Sequence, residues 1–170
     1  MSRLDSLSPA CLRAMLSPET DEDLFTLLTF TGGGISTPIR IADGYTGRLS
    51  ETADEIVYGL TSRGNQFAFL PFTLTLPNDD DADPGCELTM HDVKHQIMPT
   101  LRTLTGPPSV TIELVLASSP DTVEASFPGF QLGAVTYNDS TITGQLAVAS
   151  LAHEPFPCHT FTPSYFPGLF

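Results

Sequence analysis

The chain contains no tryptophan, only 3 cysteines, and only 7 basic residues against 20 acidic ones. The dispersed cysteines Cys11, Cys86 and Cys158 are too few for a disulfide framework and suit a reducing cytosol. The formal net charge of −13 argues against nucleic-acid binding, because phosphate recognition needs basic patches. The same shortage of lysine and arginine disfavours binding to an anionic membrane surface.

Long apolar runs are also lacking. No segment approaches the roughly 18 apolar residues that suggest a membrane span. The start, MSRLDSLSPACLRAML, has no continuous apolar core and does not fit a signal peptide. With 41% hydrophobic residues, residues 1–152 are predicted to form a single soluble β-rich domain.

Strand periodicity is the main positive signal. Apolar residues alternate with polar ones in the segments 72–76 and 110–116, as in half-buried strands. Residues 24–31 and 38–42 are further strands, and 61–65 is a hairpin turn leading into the strand 67–76. About seven to nine short strands predict a mainly β fold, a β-sandwich or partly open barrel.

Two helical segments complete this prediction. Ser8 and Pro9 give an N-cap and a first helical residue, and the apolar side of this short N-terminal helix is Cys11, Leu12, Met15 and Leu16. Asp92 caps an internal helix with an apolar face of Val93, Ile97, Leu101 and Leu104, which Pro99 kinks.

The remaining segments are interpreted as irregular. Residues 45–55 are polar and weakly patterned, which predicts a loop. Pro71 predicts a bulge or a sheet edge, and residues 118–121 a turn before the strands 130–137 and 141–151.

An acidic loop follows the strand 67–76 and contains Asp79, Asp80, Asp81 and Asp83. These carboxylates cannot be buried together, so we expect a solvated loop. Calcium binding is the alternative, since hard oxygen ligands cluster here, but the spacing does not match an EF-hand. We therefore predict no metal site.

Catalytic and cofactor sites are not indicated. Cys86, His91 and His95 could supply zinc ligands, but the chain has no Cys-x-x-Cys pair. Neighbouring aspartates would raise the pKa of the Cys86 thiol and suppress the thiolate that nucleophilic catalysis needs. We predict no cofactor and no enzymatic activity.

The segment 153–170 carries four prolines and four phenylalanines. Proline at this density prevents regular helix and sheet interior, yet so many aromatic rings would not remain in water. We predict an extended arm lying in an apolar groove of its own domain or of a neighbour. Its assembly residues are Phe156, Phe161, Tyr165, Phe166, Leu169 and Phe170.

Three blocks together carry a family resemblance: SRGNQFAFLPFTLTLPNDDDADPGCELTMHDV, PPSVTIELVLASSPDTVEA and the terminal EPFPCHTFTPSYFPGLF. Their order resembles that of a family of small tailed-phage and prophage proteins of unknown function encoded among tail genes. The likeness covers most of residues 56–170, whereas residues 44–55 are less characteristic.

The resemblance implies a virion structural protein of a long-tailed bacteriophage. It implies a minor-tail or distal-tail-type component of the tail tip or baseplate, assembled in the bacterial cytoplasm. The expected partners are further copies in a hexameric or trimeric ring and the neighbouring tail tube and hub proteins, without direct nucleic-acid or membrane binding. The alternative function is a calcium-assisted module that binds a host-surface glycan.

Overall fold

A computed structural model describes residues 7–52, 56–75, 85–92, 99 and 102–148. These residues contain the α-helix α1 (Pro9–Leu16), helical residues at positions 99 and 102, and otherwise strands, turns and loops. The strands are β1 (Leu24–Thr31), β2 (Ile39–Ala42), β3 (Gly47–Glu51), β4 (Ile56–Ser62), β5 (Asn65–Phe69), β6 (Phe72–Thr75), β7 (Gly85–His91), β8 (Ser109–Leu116), β9 (Ser119–Tyr137) and β10 (Thr141–Val148). The predicted mainly β fold is confirmed.

The strands form one sheet in the order β3-β4-β5-β2-β1-β8-β9-β10-β7-β6. Only β2 and β5 pair in parallel. Strands β5 and β6 lie far apart in this order, yet only Leu70 and Pro71 separate them in the chain. The Leu70 N–H donates to Ala42 O at 3.0 Å, and the Pro71 carbonyl accepts from His91 N at 2.9 Å. The sheet therefore curls until β2 and β7 approach the same corner, which makes a partly open barrel.

The interior of this barrel holds the larger core. Its buried side chains come from both parts of the curled sheet, with Leu28 of β1, Val110 of β8 and Leu88 of β7 in one cluster. Along β7, Cys86, Leu88 and Met90 point inward while Glu87 is exposed. This side of the barrel therefore follows the period of two that the sequence predicts.

A second, smaller core lies on the opposite face of β1. Leu27 contacts it although its neighbour Leu28 belongs to the first core, and both side chains are fully buried. The cover comes from Leu60 of β4 and Phe67 of β5. The β4–β5 hairpin thus forms an outer layer over β1, β2 and β8, which makes this half of the molecule a sandwich.

Two local predictions are wrong. Within the predicted loop 45–55, Gly47–Glu51 forms β3, because its backbone pairs with β4. The predicted turn 118–121 is instead the start of β9, and the reversal is made by the two residues 117 and 118. Strand β9 therefore begins well before the predicted residue 130.

The first helix is confirmed, but its packing is not as predicted. The Ser8 side chain accepts a hydrogen bond from Cys11 N, and Pro9 occupies the first turn. Cys11 is buried, whereas Met15 and Leu16 are exposed. The hairpin at residues 61–65 is confirmed, and Pro71 lies between two strands instead of inside one.

Two predicted segments lie outside the described residues: most of the internal helix after Asp92, and the arm 153–170 together with the domain boundary before it. In the described part of the chain, no helix combines the length and apolarity that crossing a membrane requires.

Candidate interaction surface

The turn between β4 and β5 fixes the outer layer in place. Ser62 pairs with Asn65 across a two-residue loop, in which Arg63 and Gly64 have φ values of 49° and 75°. Such angles match the tight turn favoured by hairpins, although glycine or asparagine would normally occupy the Arg63 position. Arg63 therefore occupies a position whose positive φ is unfavourable for a residue with a side chain.

Arg63 contacts strands β8 and β9. Its Nη1 donates to Glu113 Oε1 at 3.0 Å, and its Nη2 donates to Glu113 Oε2. Its backbone N–H donates to Asp121 Oδ1. The hydrogen bonds with Glu113 raise the pKa of the Arg63 guanidinium above its ordinary value. This fork-like ion pair ties the tip of the β4–β5 hairpin to β8 and β9.

The other end of the same hairpin carries an aromatic patch, defined here as Tyr45, Tyr58, Phe69 and the adjacent Ile56. The Tyr45 ring lies between the other two, with centroid distances of 5.4 Å to Tyr58 and 5.1 Å to Phe69. Tyr45 is 53% exposed and Tyr58 40% exposed. Ile56 shares a face of β4 with Tyr58 and is also exposed.

Two glycines next to the patch permit its close packing. A Cβ on Gly44 would lie 2.1 Å from the Phe25 ring, and a Cβ on Gly59 would lie 2.1 Å from the Phe67 carbonyl oxygen. Only glycine allows such an approach of backbone to ring or of strand to strand. Tyr45 directly follows Gly44, and Tyr58 directly precedes Gly59. The backbone next to each tyrosine is therefore held close to β1 and to β5, respectively.

Asp43 fixes the chain where β2 leaves the sheet. Its Oδ1 accepts from Thr26 N at 2.7 Å, and its own N–H donates to Thr26 O at 3.2 Å. Burial raises the pKa of the Asp43 carboxyl, while the hydrogen bonds with Thr26 oppose that rise. These two hydrogen bonds between Asp43 and Thr26 therefore fix the backbone just before Tyr45.

The aromatic patch lies where the sheet ends. Strand β3 is the terminal strand in the sheet order and pairs only with β4. Its register shifts between Arg48 and Ser50, and Arg48 forms an exposed ion pair with Glu51 at 3.0 Å. Bulges and charges of this kind discourage uncontrolled strand addition at a sheet edge. The aromatic patch is therefore the exposed apolar surface at this end of the sheet.

A polar contact joins Ser8, at the start of α1, to Glu124 of β9. The Ser8 hydroxyl donates to Glu124 Oε1 at 2.7 Å, and the Ser8 N–H donates to Oε2 at 2.8 Å. Because Ser8 also caps α1, this contact docks the helix on β9. Burial, followed by the charge of Glu124, raises the pKa of the adjacent Cys11 thiol, so this thiol is a poor nucleophile.

Two of the zinc and thiol candidates, Cys86 and His91, are separated by the fold, and the third, His95, lies outside the described residues. Cys86 faces the inner core and His91 is exposed, on opposite faces of β7. Burial raises the pKa of the Cys86 thiol, and the neighbouring aspartates lie outside the described residues. Among the described residues no group of three potential metal ligands comes together.

The acidic loop residues Asp79, Asp80, Asp81 and Asp83 lie outside the described residues, between the paired strands β6 and β7. The arm residues Phe156, Phe161, Tyr165, Phe166, Leu169 and Phe170 also lie outside them. Both remain predictions.

Sequence reasoning missed the aromatic patch. Ile56, Tyr58 and Leu60 alternate as in a strand, but Tyr45 and Phe69 are brought to Tyr58 only by the fold. Neither a scan against protein-family models nor a search of curated proteins finds a match for this sequence.

Proposed function

We propose that this chain is a structural protein of the tail tip or baseplate of a long-tailed bacteriophage, forming a ring between the tail tube and the central hub. The observation that carries the proposal is the aromatic patch at the end of the sheet of an otherwise acidic molecule. Exposed aromatic clusters of this kind are typical of protein contacts. The three sequence blocks that resemble tail-encoded proteins supply the biological setting.

The charge of the chain suits such a position. At −13 per copy, a ring would carry a strongly negative potential around its opening. DNA phosphates passing through it would be repelled and would not adhere. The acidic loop 79–83 is the proposed lining of that opening.

The same charge restricts how copies can meet. Two surfaces rich in carboxylates repel each other, so stable contacts need uncharged areas. The aromatic patch provides one such area on the described domain, and the arm 153–170 provides another. A head-to-tail contact between two different surfaces closes into a ring when the rotation permits.

Removal of residues 154–170 tests the proposal. We expect the full chain to form hexamers or trimers in native mass spectrometry, and the truncated chain to remain a monomer. Circular dichroism should show the same β content and cooperative melting for both. Rings formed by the truncated chain, or a full chain that stays monomeric at every concentration, would contradict the proposal. The tail tip is proposed as the location of the ring.

Calcium titration of the same full chain separates this function from glycan binding. A tail ring with an acidic lining requires no specific calcium site, whereas the glycan module does. Saturable calcium binding at micromolar levels, lost on replacing Asp79 and Asp81 by asparagine, would favour the glycan-binding function.

A further inference from the structure

We infer that the aromatic patch is the acceptor for the arm 153–170 of a neighbouring copy of this chain. The inference rests on the proposed ring assembly and names the two surfaces that join its subunits. The occupant is thus a proline- and phenylalanine-rich segment of the same protein, bound in trans.

The chemistry of the two surfaces matches. Tyr45 stands against Tyr58 and Phe69 in tilted and edge-on contacts, which leaves ring faces and edges exposed. Surfaces lined with aromatic residues bind proline-rich segments well, because an extended proline-rich chain is already ordered before it binds. The arm supplies four prolines and four phenylalanines.

Charge selects the arm over other parts of the chain. The arm contains Glu154 as its single acidic residue and neither lysine nor arginine. It can therefore approach a second acidic copy with little repulsion, whereas most other surfaces of the molecule cannot. Aromatic contacts in a water-poor interface centre are also where binding energy concentrates.

The length and direction of the chain permit this contact. Val148 pairs with Phe130 of β9, level with Val110 at the start of β8, and from there β10 points toward the end of the barrel where β9 begins. That end also holds Leu116 and Leu24, next to the Thr26–Asp43 contact that precedes the aromatic patch. The 22 residues after Val148 span up to about 70 Å when extended, enough to leave one barrel and reach the next.

Backbone pairing is not required for this contact. A segment with prolines at 155, 157, 163 and 167 cannot donate a regular ladder of hydrogen bonds to the edge of β3. The arm should therefore bind through side chains, and removing the rings should weaken it without disturbing the sheet. Tyr58 and Tyr45 can be truncated for this purpose because both are substantially exposed.

The first test measures assembly of full-length Tyr45→Ala/Tyr58→Ala. We expect the protein concentration at half-assembly to rise by at least about tenfold, as for loss of a central aromatic contact. The matched control is Tyr137→Ala, because Tyr137 is equally exposed at 53% but lies on β9, against Arg102. Equal shifts for both variants, at unchanged melting temperature, would overturn the inference.

The second test uses the native thiol of the arm as a reporter. Cys11 and Cys86 are buried, so Cys158 can be crosslinked selectively to a cysteine placed beside the patch. Thr46→Cys/Cys158→Ser is mixed with the unaltered chain and treated with a short bismaleimide. We expect a covalent dimer only in the mixture, and none when Gln145→Cys, exposed on the polar face of β10, replaces Thr46→Cys.

The outcomes separate this inference from the proposed function. Rings that assemble without crosslinking at position 46 would overturn the acceptor and leave the ring intact. A variant that carries both Thr46→Cys and the native Cys158 would be crosslinked only within one chain if the arm bound in cis. That result would also overturn the inference. Absence of any oligomer from the unaltered chain would overturn the proposed function itself.

Discussion

Strands β1 and β7 both contribute side chains to the inner core, but they are covered differently. Strand β7 buries one face, with Leu88 inside and Glu87 in water. Strand β1 buries both faces, with Leu28 in the inner core and Leu27 under the β4–β5 layer. The difference shows that one half of the molecule is a simple barrel wall and the other is a sandwich. The aromatic patch lies at the rim of the sandwich half.

The largest expected effect comes from truncating both faces of β1. Leu27→Ala and Leu28→Ala should each lower the free energy of unfolding by about 2–5 kcal/mol, because each opens a cavity in a packed core. On β7, Leu88→Ala should cost as much, whereas Glu87→Ala should stay within about 0.5 kcal/mol. Urea denaturation measures all four. A neutral Leu27→Ala would mean that the outer layer does not cover β1.

A smaller effect is expected where the outer layer makes its closest approach. Gly59→Ala places a Cβ 2.1 Å from the Phe67 carbonyl oxygen, so the two strands must separate. Overpacking of this kind costs about 1–3 kcal/mol. The matched control is Gly47→Ala, since Gly47 is the pairing partner of Gly59 and has open space around it. Thermal melting that gives equal losses for both variants would contradict the close approach.

The Arg63–Glu113 ion pair at the tip of the β4–β5 hairpin should contribute less to the free energy of unfolding than these packing contacts. Glu113→Gln should cost about 1 kcal/mol, because the fork to Arg63 is partly shielded, with Glu113 only 13% exposed. The comparison is Glu51→Gln, which breaks the exposed pair with Arg48 and should be near neutral. A double-mutant cycle of Arg63 with Glu113 measures the coupling free energy of the ion pair. A coupling free energy of zero would contradict a stabilising contact between the hairpin tip and β8.

The smallest effect is a pH dependence at the junction with the patch. Burial raises the pKa of Asp43 in the folded protein, so the folded state holds this proton more tightly than the unfolded state. Its contribution to stability is therefore full below the unfolded pKa of about 3.9 and is lost as the pH rises through the folded pKa. Asp43→Asn keeps the Oδ1 acceptor for Thr26 and removes this titration.

Chemical denaturation between about pH 3 and pH 7 checks the sign. The stability of Asp43→Asn relative to the natural chain should increase as the pH rises above about 4 and then level off. A relative stability that falls over this range would mean that the hydrogen bonds with Thr26 outweigh burial.

The sequence predicts the one-sided half of the fold better than the two-sided half. On β7 and β10, alternation of apolar and polar residues follows directly from one buried face. On β1, the run LFTLLTF identifies a strand but not its cover, because Leu27 is buried by Leu60 and Phe67, more than 30 residues away. Coverage by a distant hairpin leaves no local pattern.

The two wrong local predictions, the loop 45–55 and the turn 118–121, have similar causes. Strand β3 is polar, and it is a strand because β4 offers its backbone a partner, which its own residues do not reveal. Pro120 and Asp121 have turn chemistry, but they lie where the β8–β9 pairing shifts from Leu116–Ser119 to Val115–Val123. The turn residues are used in a bulge, where proline removes no ladder hydrogen bond.

The candidate site was foreseeable only in part. Composition indicates an aromatic terminal segment with a single acidic side chain, for which we predict a partner surface. The aromatic patch could not be located from sequence, since Tyr45, Tyr58 and Phe69 meet only because β2, β4 and β5 converge at the end of the sheet. The sequence thus predicts one side of the proposed contact, and the fold provides the other.

An electron cryomicroscopy reconstruction of the assembled full-length chain tests the central claim most directly. The account predicts a closed ring in which density for Phe156 to Phe170 of each copy lies on Tyr45 and Tyr58 of the next. A ring whose subunits meet through other surfaces, with the aromatic patch exposed to solvent, would contradict the arm contact. Particles that are only monomeric would contradict the assembly as a whole.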